Sequence, residues 1–326
     1  MPPVHLIIGA GSGLISAALF ASAATTAALA ALLFYLSPLP LCLAGLGWGR
    51  AAALIGALTG TIVIAASLGP TTAFAFGLTI AAPIALLTHL ILLSRPAAAP
   101  EGNAAGAIEW YPPGRIVGWA ALIAGALAGL LVLALGYDQE SYRESIREIL
   151  DHSALKELDR DGTVFTPETI ESLSAVLAKA LPAAFAIVWL TITLFNLWLA
   201  GIIVEASGRS LRPWPNLHDL EVPNVFVPIF AVALILSFMP GVVGLLATGF
   251  AGAMLFAYVL QGLAVIHVYS RGVPLRWLLL LVVYLGILLL GWVAILVAIL
   301  GLGEPLFGLR ARGAASQPPP KDDKTD

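Results

Sequence analysis

The sequence predicts an all-α polytopic membrane protein, a bundle of about eight to ten transmembrane segments with a short helical insert outside the membrane. Of its 326 residues, 60% are hydrophobic and only 11% are charged, whereas soluble domains carry about 25% charged residues. Charged side chains are also absent from long intervals, several of which exceed the ~20 apolar residues of one crossing. These runs are continuously apolar, which favours helices over the alternating strands of a membrane barrel. The intervals are 2–49, 51–94, 116–137, 180–204, 222–270 and 277–303.

The first part of the chain divides into five predicted helical segments, bounded by proline and glycine. Pro38 and Pro40 end the first helix and leave a short apolar segment behind them. Pro83 predicts a kink in the fourth helix, and the Pro- and Gly-rich linker 94–115 predicts a loop. The segments are 5–34, a short one to Trp48, 51–68, 71–93 and 116–136.

The second part is predicted to hold three or four more crossings. A sixth helix covers 178–206, a seventh 223–247 with a kink near Pro240, and an eighth 249–270. The run 276–303 is either one long tilted helix or a hairpin that breaks near Gly286 or Gly291.

The predicted helices divide the chain into four regions. Two sets of transmembrane helices flank a polar insert, and a tail rich in proline, lysine and aspartate is predicted to be disordered. The regions are 1–136 (N-terminal transmembrane helices), 137–177 (acidic helical insert), 178–312 (C-terminal transmembrane helices) and 313–326 (tail).

Arginines in the short loops predict the orientation, because such loops carry an excess of Lys and Arg on the cytoplasmic side. With the N-terminus inside, all of these arginines are cytoplasmic and the insert is periplasmic. Segment 137–179, with ten acidic and five basic residues, agrees with an outer position. We therefore expect a multi-pass protein of the bacterial cytoplasmic (inner) membrane. The arginines are Arg50, Arg95, Arg115, Arg209, Arg212, Arg271 and Arg276.

Four stretches, in this order, resemble the YybS-like family of bacterial membrane proteins, which carries a domain-of-unknown-function label (domain of unknown function 2232). Each stretch is mostly apolar, and the resemblance rests on the order in which the stretches occur along residues 5–312. The stretches are 36–60, from Leu-Ser-Pro-Leu-Pro to two glycines; 196–200, Asn-Leu-Trp-Leu-Ala, followed by Arg209 and 212–215, Arg-Pro-Trp-Pro; 260–267, Leu-Gln-Gly-Leu-Ala-Val-Ile-His; and 300–312, from Leu-Gly-Leu-Gly to Leu-Arg-Ala-Arg.

The N-terminal part also resembles the substrate-binding subunits of energy-coupling-factor transporters, which share a small-residue first helix, a Pro-containing loop and a short helix that ends in Gly. The resemblance implies that small residues of the first helix dock a coupling subunit, which brings an ATPase. Those residues recur every four positions and share a helix face; they are Gly9, Gly13, Ala17 and Ala21. The alternative is that this face packs within the same chain, as small residues do in lipid.

Three polar residues in the apolar runs are the candidate ligand-binding residues, namely Thr59, Asn196 and Gln261. A buried amide in lipid must find a hydrogen-bond partner. Asn196 and Gln261 therefore either bond across helices as structural contacts or line a cavity for a small neutral or zwitterionic solute. We identify no acidic or basic residue in the middle of a predicted span, which argues against a proton-coupled antiporter.

The loop 207–222 holds the second group of candidates, Arg209, Arg212 and Trp214. Arginine and tryptophan at this depth are typical of an anchor at the lipid headgroups, and the alternative is a docking surface for a cytoplasmic partner. The same loop also contains three side chains of types that can bind metals, His218, Asp219 and Glu221. Their closeness in the sequence is weak evidence for a metal site, and we predict none.

The insert is predicted to form two amphipathic helices that pack as a hairpin or lie on the membrane surface. Thr166-Pro167-Glu168 is typical of a helix start. A near-match to a calcium-binding loop precedes it, although its first position is Glu in place of Asp, and a solvated acidic turn explains the same residues. The near-match comprises Glu157, Asp159, Asp161, Gly162 and Glu168.

No catalytic motif, cofactor-binding motif or nucleotide-binding loop was found, so we do not expect an enzyme. The net charge of −3 is unsuited to a nucleic-acid partner. Our first hypothesis is the substrate-binding membrane subunit of a small-molecule uptake transporter. The alternative is a non-transporting scaffold for envelope or membrane biogenesis.

Overall fold

The computed structural model describes residues 3–25, 29–96, 108–152 and 166–307, and α-helices dominate this part of the chain. The described residues contain thirteen α-helices and one two-stranded sheet. The helices are α1 (Pro3–Ala21), α2 (Ala30–Tyr35), α3 (Leu39–Trp48), α4 (Arg50–Leu68), α5 (Pro70–Phe76), α6 (Ala82–Ile91), α7 (Pro113–Leu135), α8 (Gln139–Asp151), α9 (Pro167–Ala206), α10 (Phe226–Leu236), α11 (Gly241–Tyr269), α12 (Arg276–Leu290) and α13 (Val293–Phe307).

These helices form the predicted all-α polytopic bundle. Seven stretches of the described residues are long and apolar enough to cross a membrane, and three apolar helices, α10, α12 and α13, are shorter. Together they match the expected eight to ten membrane segments. Large hydrophobic side chains remain exposed along most helices, as expected of a surface that faces lipid.

The first helix is shorter than the predicted span 5–34, so the predicted C-terminal end of this helix is wrong. The helix stops at Ala21, a 3-10 turn covers Ser22–Ala24, and a new helix begins at Ala30. Helix α2 then joins α3 through the turn 36–38, so that Ala30–Trp48 is long enough to cross the membrane. The Ser16 hydroxyl donates a hydrogen bond to the Ser37 carbonyl at 2.6 Å and holds this turn against α1. The short segment before Trp48 is therefore the second half of a full crossing.

The kink predicted at Pro83 takes the form of a π-helical turn, Gly77–Ala81, between α5 and α6. Pro83 has no N–H, so it cannot donate to the carbonyl of Thr79 four residues earlier. The indole of Trp189 supplies that donor instead, at 2.8 Å. This bond between α9 and the distorted turn could not be inferred from the sequence around Pro83.

The linker 94–115, predicted to be a loop, contains a short antiparallel hairpin. Its strands are β1 (Ser94–Pro96) and β2 (Ile108–Trp110), with Arg95 opposite Glu109. The two side chains form an exposed ion pair at 2.7 Å. An exposed pair of this kind contributes little stability.

The insert begins as predicted with a short amphipathic helix, and its second predicted helix is continuous with the predicted sixth helix, 178–206. Helix α9 runs for 40 residues without a break, about 60 Å at 1.5 Å per residue. Thr166 caps it, since its hydroxyl accepts a hydrogen bond from the Thr169 amide. Arg143 of α8 pairs with Glu171 of α9 at 3.1 Å, so the two helices pack side by side. Most of the calcium-loop near-match lies in 153–165, outside the described residues.

The turn between the seventh and eighth predicted helices, expected near residue 248, lies about ten residues earlier in the structure. Helix α10 ends at Leu236, and α11 begins at Gly241. Phe226 packs beside Gly118 near the start of α7, whereas the Gly241 amide bonds the Gln139 side chain just beyond the end of α7. The stretch 226–241 therefore crosses the bundle, although its helix has only 11 residues.

The run 276–303 is not one long helix, because it breaks near Gly291, one of the two break points expected for a hairpin. Gly291 has φ +57°, a left-handed conformation that glycine adopts without steric cost. A Cβ on Gly286 of α12 would lie 3.3 Å from Val293, and the Tyr284 ring centroid lies 6.0 Å from that of His267. Helix α12 thus stays near the C-terminal end of α11.

Helix α13 places an acidic residue inside the bundle. It packs antiparallel to α11, because Gly262 lies against Val297 and Gly301 against Tyr258. The same register puts Glu304 opposite the middle of α11, and Glu304 is only 6% exposed. The expectation that no acid lies in the middle of a span is therefore wrong. The charge-free run ends at residue 303, but the helix continues to Phe307.

The loop arginines converge on one end of the bundle, as predicted, and we call it the arginine end. Helices α1 and α4 run parallel, and both begin there, since Gly9 packs beside Ala52 and Gly13 beside Gly56. The loop that follows α9, residues 207–225, covers this end and is here named the arginine-end loop. The acidic insert lies at the opposite end.

Candidate functional site

A cavity of about 560 Å³ lies at the arginine end, between the arginine-end loop and the ends of five helices. Helices α6, α7, α9, α11 and α12 contribute its walls. Most of the lining is aliphatic or aromatic, and the aliphatic contacts include Ile116, Val117, Leu194, Leu197, Leu260 and Leu263. A cavity of this size and composition is typical of sites for small molecules, which occupy about 300–1,000 Å³.

The loop is held over the cavity by three close contacts. The Trp214 ring lies directly over Gly201 of α9, where a side chain larger than hydrogen would collide with it. The backbone of Glu221 lies against Gly114 at the start of α7. The amide of Val222 donates to the Gln261 side chain at 2.7 Å. The loop is therefore packed into the bundle.

Arg212 is the most deeply buried cation at the cavity. It is 7% exposed, and its Nη1 donates to the carbonyls of Ile91, at 2.9 Å, and Tyr111, at 3.0 Å. Its Nε is buried and has no hydrogen-bond partner, and Arg212 forms no ion pair with a carboxylate of the described residues. Burial lowers the pKa of the guanidinium, but an arginine side chain in a protein stays charged at neutral pH.

Two histidines add further polar groups to the same wall. The ring centroids of His218, in the loop, and His267, in α11, are 6.1 Å apart. The pKa of His218 is lowered, first by burial and then by the positive charges of Arg271 and neighbouring groups. His218 is therefore mainly neutral at neutral pH, since its ordinary pKa is about 6.5.

None of the three candidate ligand-binding residues lines this cavity. Asn196 is fully buried, and its Nδ2 donates to the carbonyls of Tyr35, at 2.9 Å, and Ile192, at 2.8 Å. Gln261 joins the loop to α13, because its Nε2 donates to the Gly301 carbonyl at 2.8 Å. Thr59 is half-buried beside Gly13. Both amides thus bond backbone groups. They form structural contacts between helices, which was the alternative to lining a cavity for a solute.

Replacing Gln261 with leucine is expected to lower the free energy of unfolding by about 1–3 kcal/mol, because the Val222 amide and the Gly301 carbonyl would lose a buried partner. The midpoint of thermal unfolding in detergent can be followed through Cys42, the only cysteine of the chain, whose thiol is buried in the folded state. Gln139→Leu is the matched control, since the Gln139 amide bonds Gly241 at an exposed site. An equal loss of unfolding free energy in both variants would contradict the structural role assigned to Gln261.

The small-residue face of α1 is occupied by α4 of the same chain. A Cβ on Gly9 would lie 2.8 Å from the Ala52 carbonyl, and one on Gly13 would collide with the Gly56 carbonyl. Ala17 is fully buried and Ala21 half-buried. This face is therefore not free for the coupling subunit that the transporter resemblance implies, because the backbones of α1 and α4 already touch along it.

Two of the three candidates in the loop point into the protein. Arg212 is buried and Trp214 is half-buried over Gly201, so Arg212 cannot form a docking surface and Trp214 offers only part of its ring. Arg209 is exposed, with its guanidinium 5.2 Å from the Trp48 ring centroid. No group of three His, Cys, Asp or Glu side chains that could hold a metal occurs among the described residues, and Asp219 and Glu221 do not line the cavity.

A protein-family model described as "Predicted membrane protein (DUF2232)" matches residues 14–303. The chain belongs to this family. The match covers the second half of the first long apolar stretch, the other six stretches in full and the arginine-end loop, so the cavity lies within the part that the family shares. No curated protein and no solved structure matches the chain, and the resemblance to energy-coupling-factor subunits stays a prediction.

The cavity could not be predicted from the sequence, because its walls come from segments far apart in the chain. Ile91, Arg212 and His267 are separated by more than fifty residues each, and no local motif connects them. One signal was available: Arg212-Pro213-Trp214-Pro215 places a cation and a large ring where prolines fix the backbone. In the sequence this pattern is typical of an interfacial anchor, whereas the structure turns both side chains inward.

Proposed function

We propose that this family member is a ligand-binding protein of the bacterial cytoplasmic membrane, which holds a small molecule in the cavity beneath the arginine-end loop. The observation that carries the proposal is the cavity itself, with mostly apolar walls and a few converging polar groups, Arg212, His218 and His267. Sites of this composition bind ligands because burial of apolar surface provides affinity and the polar groups provide orientation.

The ligand would be a substrate, and the protein the binding subunit of an uptake system. Energy would come from a coupling subunit with an ATPase, because the chain has no nucleotide-binding motif. Since the small-residue face of α1 packs on α4, the partner would contact the exposed part of the arginine-end loop. Arg209 and the exposed side chains of Leu211 and Leu217 are available there.

Binding is favoured over catalysis by the chemistry of the cavity wall. Among the described residues, the wall holds no serine, cysteine or carboxylate side chain that could act as nucleophile or general base. We therefore propose no reaction at this site.

The second candidate function is a membrane scaffold, and one observation favours it. Asn196 and Gln261 bond backbone groups within a closed bundle, so they stabilise the packing of the helices. A scaffold would use the exposed acidic insert or the arginine-end loop to hold partner proteins. It would have no need of a small molecule in the cavity.

Filling the cavity separates the two functions. The wild-type protein and the variant Leu194→Trp are extracted gently from the native membrane and analysed by mass spectrometry for bound small molecules and proteins. We expect a stoichiometric small molecule with the wild type and its loss in the variant, because Leu194 lines the cavity. Val188→Trp is the control, since Val188 lies on the same helix and is exposed.

The outcomes differ clearly. Retention of the small molecule by Leu194→Trp would place it outside the cavity and contradict the proposal. Recovery of envelope-assembly proteins with no small molecule from the wild type would favour the scaffold. Cys42 protection verifies that each variant is folded.

A further inference from the structure

We propose that the ligand of this cavity is an amphipathic anion, a molecule with an apolar chain and an acidic headgroup that pairs with Arg212. This inference rests on the binding function proposed above and specifies its ligand class. It differs from the neutral or zwitterionic solute expected from the sequence.

The first step is the charge of Arg212. A buried charge is costly unless it is paired and hydrogen-bonded, and a buried guanidinium usually meets a carboxylate or a phosphate. Here two backbone carbonyls accept from Nη1, and the Trp110 ring lies 5.8 Å from the guanidinium carbon. These contacts satisfy some donors but supply no negative charge. The buried Nε has no hydrogen-bond partner, so the guanidinium is not fully satisfied within the protein.

The second step is the sign of the surrounding charge. Arg271, His267 and Arg276 each lower the pKa of His218, and Asp219 opposes them with the smallest effect. The arginines at the end of α11 and the start of α12 thus bring positive charge close to this part of the cavity wall. A neutral headgroup would gain nothing from it, whereas a carboxylate or phosphate would be attracted and could accept from the Arg212 guanidinium.

The third step is the apolar remainder of the cavity and its access. Trp198 of α9 and Tyr284 of α12 both line the cavity and are also exposed on the surface of the bundle. The cavity therefore reaches the lipid-facing surface between these two helices, at the depth where Trp and Tyr meet headgroups. A chain can enter from the lipid while its headgroup stays near the arginines. A free inorganic anion would leave the aliphatic walls without a partner.

The test uses the full-length protein in detergent and three probes. Oleate carries both features, oleyl alcohol has the same chain without the charge, and inorganic phosphate has the charge without the chain. Binding is measured as ligand-dependent protection of Cys42 during heating and by saturation with labelled oleate. We expect saturable binding of oleate, at least about tenfold weaker binding of oleyl alcohol, and no competition by phosphate.

The variants assign the headgroup contact. Arg212→Met is expected to weaken oleate binding about tenfold or more and to leave the affinity for oleyl alcohol unchanged. Arg209→Met is the matched control, because Arg209 is exposed at the same end and is expected to change oleate affinity less than twofold. If Cys42 is not protected in Arg212→Met, that variant is not folded, and Arg212→Lys is used in its place. Lysine keeps the charge but lacks the planar guanidinium, so we expect an oleate affinity between those of the wild type and an uncharged variant.

Each contrary result has a distinct meaning. Equal affinity for oleate and oleyl alcohol, unchanged in Arg212→Met, would refute the anionic headgroup but leave a cavity that binds apolar chains. Competition by inorganic phosphate at similar concentrations would identify a site for free anions and refute the amphipathic ligand. If Leu194→Trp binds oleate as the wild type does, the cavity is not the site, and the binding function proposed for it fails as well.

Discussion

Replacing Gly13 with leucine is expected to destabilise the protein by about 3 kcal/mol, the upper part of the usual range for an overpacked core. A side chain at this position would collide with the Gly56 carbonyl and the Gly60 amide of α4. No rotamer can avoid backbone atoms that approach the first side-chain carbon itself. Helices α1 and α4 would have to separate along their whole contact, and the packing gained from small residues in lipid would be lost.

The control is on the same helix. A Cβ on Gly11 would meet no atom within 4 Å, so Gly11→Leu is expected to keep the wild-type unfolding midpoint or to raise it slightly, because leucine favours the helix over glycine. Heating in detergent with a thiol-reactive dye reports both variants through Cys42. A folded and stable Gly13→Leu protein that no longer co-purifies with a coupling subunit would contradict the internal packing and restore the docking role of this face.

Replacing Gly114 with alanine is expected to release the arginine-end loop from α7, with a loss of about 1–3 kcal/mol. The added methyl group would overlap the backbone carbonyl of Glu221. The loop must then move, and the bond between the Val222 amide and Gln261 would lengthen or break. Since the loop covers the cavity, we also expect weaker ligand binding. Limited proteolysis at the exposed Arg209 provides a direct measure of loop release.

Gly129 provides the matched control on the same helix. A Cβ there would meet only the end of the Leu246 side chain, at 3.3 Å, and a side-chain tip can move. Gly129→Ala is therefore expected to change the free energy of unfolding by less than about 1 kcal/mol, with the helix preference of alanine offsetting any crowding. Equal proteolysis of Gly114→Ala and wild type would show that the loop tolerates the methyl group.

Much of the helical framework could be predicted from charge and proline positions alone. The helices α4 and α7 begin and end within three residues of the predicted limits. The errors fall where hydropathy is uniform. The break after Ala21 and the end of α10 at Leu236 interrupt continuously apolar sequence, so their positions depend on how neighbouring helices pack.

The candidate site could be predicted only in its parts. The sequence singled out Arg212, Trp214 and Gln261 as unusual residues, but not their roles. Arg212 reaches the Ile91 carbonyl, 121 residues away, and Gln261 bonds Val222 and Gly301, about 40 residues to either side. Such contacts leave no periodic pattern in the chain. The burial of Glu304 escaped notice because its helix continues past the last charge-free residue.

The sequence by itself determined that this is a polytopic helical membrane protein, which end of the bundle carries its arginines, and which faces hold small residues. These properties follow from side-chain hydropathy, charge and volume, which are local to each segment. Only the tertiary structure decided that the small face of α1 packs on α4, that two buried amides bond backbone groups, and that Arg212 points into an apolar cavity. Those outcomes depend on which distant segments meet, because a buried polar group or an uncompensated charge is defined by its neighbours in space.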